Sequence, residues 1–294
     1  MLIQEKVHQA KAILKEFDTD CWITFVRESA LNGDPTLPFL VDGDVTWHSA
    51  FILTQSNAYA IVGQYDKQGV EDLKAYDEVI GYVKGIKEHF LSYMKRINPK
   101  MIAVNYSTGS EICDGLTHGM YLTMRDYLYE IDFQDRLVSA EKIISALRQR
   151  KTQGEINNIK EAIRITEKIF SELRKFIKPG KTEREIASFM KQHAEAAGVT
   201  YAWDPRSCPA VFTGPDTAEA HYGPTDRVVE RGHILNMDFG LKYNEYCSDL
   251  QRTFYILNEG ETKAPADVQR GFDTIVASIE LARKQMRPGI EGIE

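Results

Sequence analysis

Two aspartates, Asp238 and Asp249, are the residues of this chain whose type and spacing best suit chemistry. The flanking stretches Ile234–Gly240 and Tyr246–Phe254 alternate or run apolar and β-branched, so both are predicted to be strands. Tyr243-Asn244 is predicted to be the turn between them, because Asn tolerates a positive φ better than other non-glycine residues. With that turn, the two aspartates become direct cross-strand partners on one face of a hairpin.

Carboxylates in this relation repel each other, since the Cβ atoms of directly opposed residues lie roughly 4.5–5.5 Å apart. A shared proton would relieve the repulsion. A divalent cation would relieve it better, because carboxylates are hard oxygen ligands suited to Mg, Mn and Zn. One aspartate can chelate a single ion while the other bridges two ions about 3.5–4 Å apart. The spacing alone leaves a second interpretation open, in which both acids face solvent on an exposed sheet.

The sequence around the aspartates resembles a known family. Asp238-Phe239-Gly240 followed by YCSDLQRTF (246–254) resembles the M24 metallopeptidases, which include Xaa-Pro aminopeptidases, prolidases and methionine aminopeptidases. Three further segments agree with that family in order, namely LRQRKTQGEI (147–156), KPGKTE (178–183) and CPAVFTGPDTAEAHY (208–222). The resemblance rests on specific motifs over residues 141–294 and on general character alone over residues 1–140.

The resemblance implies a fold of α/β and α+β type in two domains. Residues 1–139 are expected to form a ribonuclease-H-like domain of the creatinase N-terminal type, and residues 140–294 a pita-bread metallopeptidase domain truncated early in its second half. The pattern of the chain fits a change near Ser139, because strands alternate with helices before it and long helices follow it. The predicted helices are 4–17, 85–96, 119–129, 140–176 with a break near Gly154, and 183–197, and the predicted N-terminal strands are 21–28, 50–54, 58–63 and 101–105.

The activity that the resemblance implies is that of a metal-dependent peptidase, which removes or splits an N-terminal residue from Xaa-Pro peptides. Two divalent ions, Mn, Co or Zn, would be held in part by Asp238 and Asp249 and would activate a water molecule. His221 is implied as a substrate contact, although a loop histidine taken by itself is more often a plain surface residue. His233 is predicted to be structural, and Arg252 either orients a ligand carboxylate or supports the metal face. The expected partners are a peptide and a second copy of the chain.

The sequence also departs from the family pattern. The family site takes two aspartates, a histidine and two glutamates, yet no histidine follows His233 here. Lys178-Pro179-Gly180 recurs as Arg287-Pro288-Gly289, each after a helical segment that carries Arg-Lys, which predicts two related halves with the second incomplete. The chain is therefore expected to be an inactive fragment of a longer enzyme. A metal-free hydrolase of the creatinase type and a non-catalytic peptide-binding or scaffold protein remain as alternatives.

Composition and charge bound these interpretations. The chain has 294 residues, 43% hydrophobic and 27% charged, which is ordinary for a globular protein of about two domains. A net charge of −7 offers no basic surface for nucleic acid or anionic lipid. The four cysteines are scattered with no C-x-x-C, and no apolar run reaches the roughly 18 residues of a membrane span. A cytoplasmic protein with reduced thiols, no nucleic acid partner and no membrane is expected.

Overall fold

The chain divides into two compact units, Met1–Ile156 and Asn157–Glu294. The computed structural model describes residues 2–215 and 223–290 of it. Within those residues, no helix has both the length and the apolar character needed to cross a membrane.

The first unit is built on a six-stranded mixed sheet. Its strands are β1 (Cys21–Val26), β2 (Ser49–Thr54), β3 (Ala58–Gly63), β4 (Glu78–Tyr82), β5 (Ile102–Val104) and β6 (Leu137–Ser139). They lie in the order β4-β3-β2-β1-β5-β6, where β2 is antiparallel to both of its neighbours and the other pairs are parallel. The accompanying helices are α1 (Leu2–Glu16), α2 (Lys67–Asp72), α3 (Lys87–Ile97), α4 (His118–Tyr129) and α5 (Glu141–Gln149).

Both faces of this sheet are covered, and the central strand shows it. Every residue of β1 is buried. Successive strand residues point to opposite faces, and Trp22 accordingly joins an apolar cluster with residues of α1 and α5, whereas Ile23 joins a second cluster with residues of α3 and α4. Continuous apolar strands of this kind are typical of sheets that are buried on both sides.

The second unit contains two three-stranded antiparallel sheets and long helices. Its elements are α6 (Gln153–Phe176), which begins in the first unit, α7 (Glu183–Ala196), β7 (Thr200–Tyr201), β8 (Ala210–Thr213), β9 (Ile234–Phe239), β10 (Leu241–Tyr243), β11 (Tyr246–Cys247), β12 (Leu250–Tyr255) and α8 (Ala266–Gln285). The sheets have the orders β12-β9-β8 and β11-β10-β7. Residues of α6 and α7, among them Phe170 and Met190, pack with Met237 and Phe239 of β9 into one core.

The two compact units divide after Ile156, and the domain boundary at Ser139 that the change in sequence pattern indicates stays a prediction. Helix α5 supplies Ile144 and Leu147 to the core of the first unit, in the same cluster as residues of α1. The predicted break in the long helix lies at residues 150–152, just before Gly154, because α6 starts at Gln153.

Helix α8 carries a row of large apolar side chains that are exposed. It contributes no buried residue, and Phe272, Ile275 and Ile279 are 46%, 62% and 63% exposed. These positions follow the i, i+3, i+7 spacing of one helix face. An apolar face of this kind is typical of a surface that associates with other polypeptides.

We expect Ile279→Lys to leave the free energy of unfolding within about 0.5 kcal/mol of the native value, because an exposed side chain loses little packing. The same substitution should lower self-association at high concentration. Ile169→Lys in α6 is the matched control, since Ile169 is 3% exposed and would place an unpaired charge in the core. Thermal melting and light scattering of the two variants measure both effects, and a loss of stability in Ile279→Lys as large as in the control would show that the face of α8 is packed.

Candidate metal and substrate site

The sheet β12-β9-β8 places the first predicted metal ligand. Along β9, Leu235, Met237 and Phe239 are buried in the core, whereas Asn236 and Asp238 on the opposite face are half-buried. This alternation follows from the two-residue period of a strand. In the register of the sheet, Asp238 lies between Ala210 of β8 and Gln251 of β12.

The predicted direct pairing of Asp238 with Asp249 is wrong. The turn consists of Asn244 and Glu245, which both have positive φ (46° and 66°), and Tyr243 pairs with Tyr246 on either side of it. Two consecutive left-handed residues form the favoured two-residue hairpin loop, so the turn lies one residue later than predicted and the register shifts by two. The partner of Asp238 is therefore Gln251.

A shift of two positions keeps the face of a strand, whereas a shift of one reverses it. Asp249 lies two positions before Gln251, in the short link formed by residues 248–249 between β11 and β12. If the pleat continued through this link, Asp249 would be a diagonal neighbour of Asp238, a relation that separates Cα atoms by about 7–8 Å. The two carboxylates are therefore not directly opposed, and repulsion between them does not by itself require a cation.

A tight corner joins the two aspartates. An ideal Cβ on Gly240 would lie 2.4 Å from the backbone oxygen of Ser248. The two backbone segments therefore approach each other too closely at this point for any residue other than glycine at position 240. The Ser248 hydroxyl accepts a hydrogen bond from the backbone N–H of Leu241 at 2.9 Å and shares one with Thr166 Oγ1 at 2.7 Å. Asp238 precedes this corner on one strand and Asp249 follows it on the other.

The polar face beside the corner is rich in oxygen atoms. Gln251 Nε2 donates to Asp238 Oδ2 at 3.3 Å, and Thr253 Oγ1 donates to Asn236 Oδ1 at 2.9 Å. Oxygen donors of this kind suit hard divalent cations. Within the described residues, however, no group of three or more His, Cys, Asp and Glu side chains is close enough to hold a metal. The donors fit a divalent metal in type, and their number is incomplete.

Arg252 lies on the opposite face of the sheet from Asp238, contrary to the suggestion that it orients a ligand carboxylate there. It pairs with the buried Met237 across the sheet, and its guanidinium lies over the Phe170 ring of α6 at 5.3 Å and 3.7 Å from Glu167 Oε1. Odd and even positions of β12 serve different faces, so the neighbouring residues Gln251 and Thr253 carry the polar contacts instead.

Cys208 is a buried residue in contact with Gly240. Its thiol is buried and donates to the carbonyl oxygen of Gly240 at 3.2 Å. Burial raises the pKa of this thiol, and the nearby charge of Asp238 acts in the same direction. Cys208 is therefore a protonated packing residue, in accord with the expectation of reduced cysteines.

The structure describes His233 of this region but not His221. His221 lies outside the described residues, so its assignment as a substrate contact stays a prediction. His233 lies beside the end of β8, where its Nδ1 is 3.3 Å from Thr213 Oγ1 and accepts from the backbone N–H of Glu230 at 3.3 Å. These contacts hold the loop before β9.

Sequence reasoning missed one charged residue of this region, Glu183 at the start of α7. It is 2% exposed, and its carboxylate accepts hydrogen bonds from Thr213 and Thr225, on both sides of the segment that contains His221. The sequence did contain a hint of this role, because the first turn of α7 has two acids. Thr182 and Glu185 form the capping box, so Glu183 is not needed to cap the helix.

Comparisons with known proteins point to one family of peptidases. A model of metallopeptidase family M24 matches residues 157–294. A protein of Mycoplasma pneumoniae that is provisionally named an Xaa-Pro aminopeptidase is 35% identical over 144 residues, which make up 48% of this chain and 38% of that protein. An uncharacterized peptidase of Staphylococcus aureus is 27% identical over 228 residues, 76% of this chain and 58% of that protein. The chain thus spans less than two thirds of the length of these relatives.

Two solved structures share the fold. The Xaa-Pro dipeptidase from Bacillus anthracis superposes with a TM-score of 0.65 at 20% identity, over 95% of this chain and 70% of that one. The X-Pro aminopeptidase from Thermotoga maritima superposes with a TM-score of 0.64 at 22% identity, over 92% of this chain and 70% of that one. The predicted fold, an α/β N-terminal domain followed by pita-bread elements, is confirmed. Residues 157–294 therefore carry the sequence pattern of metallopeptidase family M24.

Proposed function

We propose that this chain supplies the N-terminal domain and the first half of the catalytic domain of a metal-dependent peptidase acting on Xaa-Pro peptides. The match of residues 157–294 to the M24 family model and the names of the similar proteins support the peptidase class. The observation that carries the proposal is the corner at Gly240 and Ser248, which has one aspartate before it and one after it. We further propose that the enzyme works as a homodimer.

Asp238 and Asp249 would hold two divalent ions, Mn, Co or Zn. When bound, such ions lower the pKa of a bridging water and polarise the scissile carbonyl. The amide of Gln251 would orient Asp238 by its hydrogen bond to Oδ2, as an outer partner of a metal ligand does. His221 would contact the substrate carbonyl or carboxylate. With only two of the five family ligands in its sequence, the chain by itself is expected to bind metal weakly and not to turn over peptides.

A second function is a non-catalytic peptide-binding or scaffold protein on the same fold. The observation that favours it is that the described part of the chain brings together no third metal-ligating side chain near Asp238. The metal-free creatinase type is less well supported, because it has no need for an acid at both Asp238 and Asp249. A measurement of metal binding distinguishes the two functions, because the peptidase requires the aspartates to bind metal and the scaffold does not.

We expect Asp238→Asn to weaken Mn²⁺ binding by this chain by at least the roughly 10- to 100-fold that loss of an outer partner of a ligand costs. The physical reason is the loss of the negative charge on a donor oxygen. Titration followed by electron paramagnetic resonance of free Mn²⁺ measures the affinity directly. Asp273→Asn is the matched control, an exposed acid on α8 in the same unit, and should leave the affinity unchanged.

Equal affinity in the native chain and in Asp238→Asn would contradict the assignment and move the scaffold function ahead. Hydrolysis of Xaa-Pro peptides by the native chain would contradict the expectation that it is inactive alone. Gln251→Ala should lie between the native chain and Asp238→Asn, since it removes the orienting amide and keeps the ligand.

A further inference from the structure

A cleft of about 590 Å³ lies at the carboxyl ends of two strands of the first unit. Strands β1 and β4 run in the same direction; Arg27 and Glu28 follow β1 directly, and Lys84 follows β4 by two positions. Trp47 and His48, which precede the antiparallel β2, also line the cleft. Open α/β sheets bind their ligands outside the carboxyl ends of their strands, and the volume is typical of a small-molecule site.

Packed aromatic rings shape this cleft. The Trp47 ring lies against Gly63 of β3, where an ideal Cβ would be 3.0 Å from the Trp47 Cε3 atom, and its centroid is 5.7 Å from that of the Tyr82 ring. The Tyr82 hydroxyl donates to the carbonyl oxygen of His48 at 2.8 Å. These contacts fix Trp47, so the cleft offers an apolar surface that is already in place before a ligand arrives.

The half-buried Trp47 also has an unused hydrogen-bond donor. Of the three tryptophans, Trp22 donates through Nε1 to Asn105 Oδ1 at 2.6 Å and Trp203 donates through Nε1 to the carbonyl oxygen of Ser207 at 3.1 Å. Across the described residues, no group accepts from the indole N–H of Trp47. Because an indole N–H usually has a partner when the ring is buried, this donor is available to a ligand.

Two cations of the cleft have no carboxylate partner. Arg27 and Lys84 are exposed, and within the part of the chain that the structure describes neither forms an ion pair. Burial lowers the pKa of His48, and the charge of Arg27 acts in the same direction, so this imidazole is neutral near neutral pH. The positive charge of the cleft therefore comes from Arg27 and Lys84.

Negative charge lies in the same place. Glu28 lines the cleft and is exposed, and no cation among the described residues pairs with it. Asp66 lies at the rim, where its Oδ2 accepts from the backbone N–H of the lining residue Thr46 at 3.2 Å. The cleft and its rim thus carry two positive and two negative charges, and a ligand that matches them has both signs of charge.

We propose that this cleft binds a free amino acid or a short peptide as a zwitterion with an apolar side chain. Its carboxylate lies at Arg27 and Lys84, since a guanidinium binds a carboxylate through two parallel hydrogen bonds. Its ammonium group lies at Glu28, and its side chain covers the Trp47 ring. A phosphate dianion would instead meet the nearby carboxylates. All of these residues belong to the first unit, so binding here does not require the metal site of the proposed function.

L-Leucine and two of its derivatives test the class of ligand. L-Leucinamide lacks the carboxylate, and N-acetyl-L-leucine lacks the ammonium group. We expect L-leucine to bind more tightly than either derivative by roughly 3- to 10-fold, as one charge-assisted contact at a partly exposed site gives. Titration followed by nuclear magnetic resonance, with a chelator present to remove metal ions, measures the three affinities. Undetectable binding of L-leucine, or equal or tighter binding of either derivative or of inorganic phosphate, would overturn the proposal.

Two substitutions test the residues. Arg27→Gln should weaken L-leucine by roughly 3- to 10-fold and leave L-leucinamide unchanged, because it removes the partner of the carboxylate. Glu28→Gln should weaken L-leucine and leave N-acetyl-L-leucine unchanged or tighter, a reversal that a misfolded chain does not produce. Arg125→Gln is the matched control, since Arg125 is an exposed arginine of α4 that does not line the cleft. Native affinity for L-leucine in Arg27→Gln, or an equal loss in Arg125→Gln, would overturn the assignment.

The indole N–H signals of the tryptophans locate the bound ligand. Trp47→Phe assigns the signal of Trp47, and L-leucine should move that signal and leave the signal of Trp22 in place, because Trp22 is 0% exposed. A Trp47 signal that stays in place while L-leucine binds would show that the site lies elsewhere and would overturn the proposal. No readout requires turnover or metal, so failure here is distinguishable from failure of the proposed function.

Discussion

Replacing Gly240 by Ala should destabilise the second unit by about 1–3 kcal/mol or more, the range expected for overpacking a rigid interior. The added Cβ would lie 2.4 Å from the backbone oxygen of Ser248, 2.5 Å from the Trp203 ring and 2.8 Å from Ala202 Cβ. Carbon atoms do not approach an oxygen to 2.4 Å, and the nearest of these atoms belongs to the backbone, which cannot rotate away. The corner must open for the variant to fold.

Opening the corner also changes the relation of the two aspartates. Asp238 is fixed by β9 and Asp249 follows Ser248 directly, so any displacement of Ser248 from Gly240 separates them. We therefore expect Gly240→Ala to weaken Mn²⁺ binding as well as stability. Chemical denaturation and the Mn²⁺ titration described above measure the two effects on one sample.

Gly271→Ala in α8 is the control for Gly240→Ala. No atom lies within 4 Å of an ideal Cβ at Gly271, and its substitution should stabilise the helix by roughly 0.5–1 kcal/mol through lower backbone entropy of the unfolded chain. If Gly240→Ala were as stable as Gly271→Ala, the close approach of Gly240 and Ser248 would be wrong. If it were unstable yet bound Mn²⁺ normally, the corner would not determine the spacing of the aspartates.

The hairpin shows what the sequence could predict and where prediction failed. Period-two alternation determines which residues of a strand share a face, and in β9 it separates the buried Leu235, Met237 and Phe239 from Asp238. The register failed because it depends on one local choice, whether the turn starts at Tyr243 or at Asn244. Glu245 adopts a positive φ of 66°. Glutamate rarely adopts this conformation, so the residue type gave no reason to expect it there. The face is a property of the whole strand and the register is a property of the turn.

Contacts between distant parts of the sequence were not predictable at all. Glu183 receives its donors from residues 30 and 42 positions away, and these contacts exist only once β8 lies against α7. The strand β4 was also not predicted; most of its residues are only partly buried, and it is stabilised by pairing with β3. In each case the neighbours in space, and not the local pattern, determine the role of the residue.

Removing the ammonium group of Lys6 should destabilise the first unit by about 3–5 kcal/mol, because it leaves a buried carboxylate without its cation. Lys6 of α1 and Glu155 at the start of α6 are 0% and 1% exposed and lie 3.0 Å apart. Lys6 Nζ also donates to the carbonyl oxygen of Leu147 at 2.5 Å and to Gln9 Oε1 at 2.8 Å. The variant is Lys6→Met, which keeps the length of the side chain.

Desolvation lowers the pKa of Lys6, while the hydrogen bond and the charge of Glu155 raise it by less. The buried pair is therefore held at a cost, and replacing both partners, as in Lys6→Met with Glu155→Leu, should recover much of the stability lost in Lys6→Met. A double-mutant cycle by chemical denaturation measures the coupling. Additive losses in the double variant would contradict this view of the pair.

The pH dependence gives an independent test of the same pair. A lysine whose pKa is lower in the folded than in the unfolded state binds fewer protons when folded, so stability rises with pH from the folded pKa up to the unfolded pKa of about 10.5. In Glu155→Gln the carboxylate that supports the charged lysine is gone, so the folded pKa of Lys6 should fall further. The free energy of unfolding of Glu155→Gln should then rise more steeply between neutral pH and pH 10 than that of the native chain. Lys6→Met has no ammonium group at this position, so it should lack the part of the rise that comes from Lys6. A Glu155→Gln profile parallel to the native one would contradict the support that Glu155 gives to the charged lysine, and a flatter profile would show that Lys6 reaches solvent when its partner is removed.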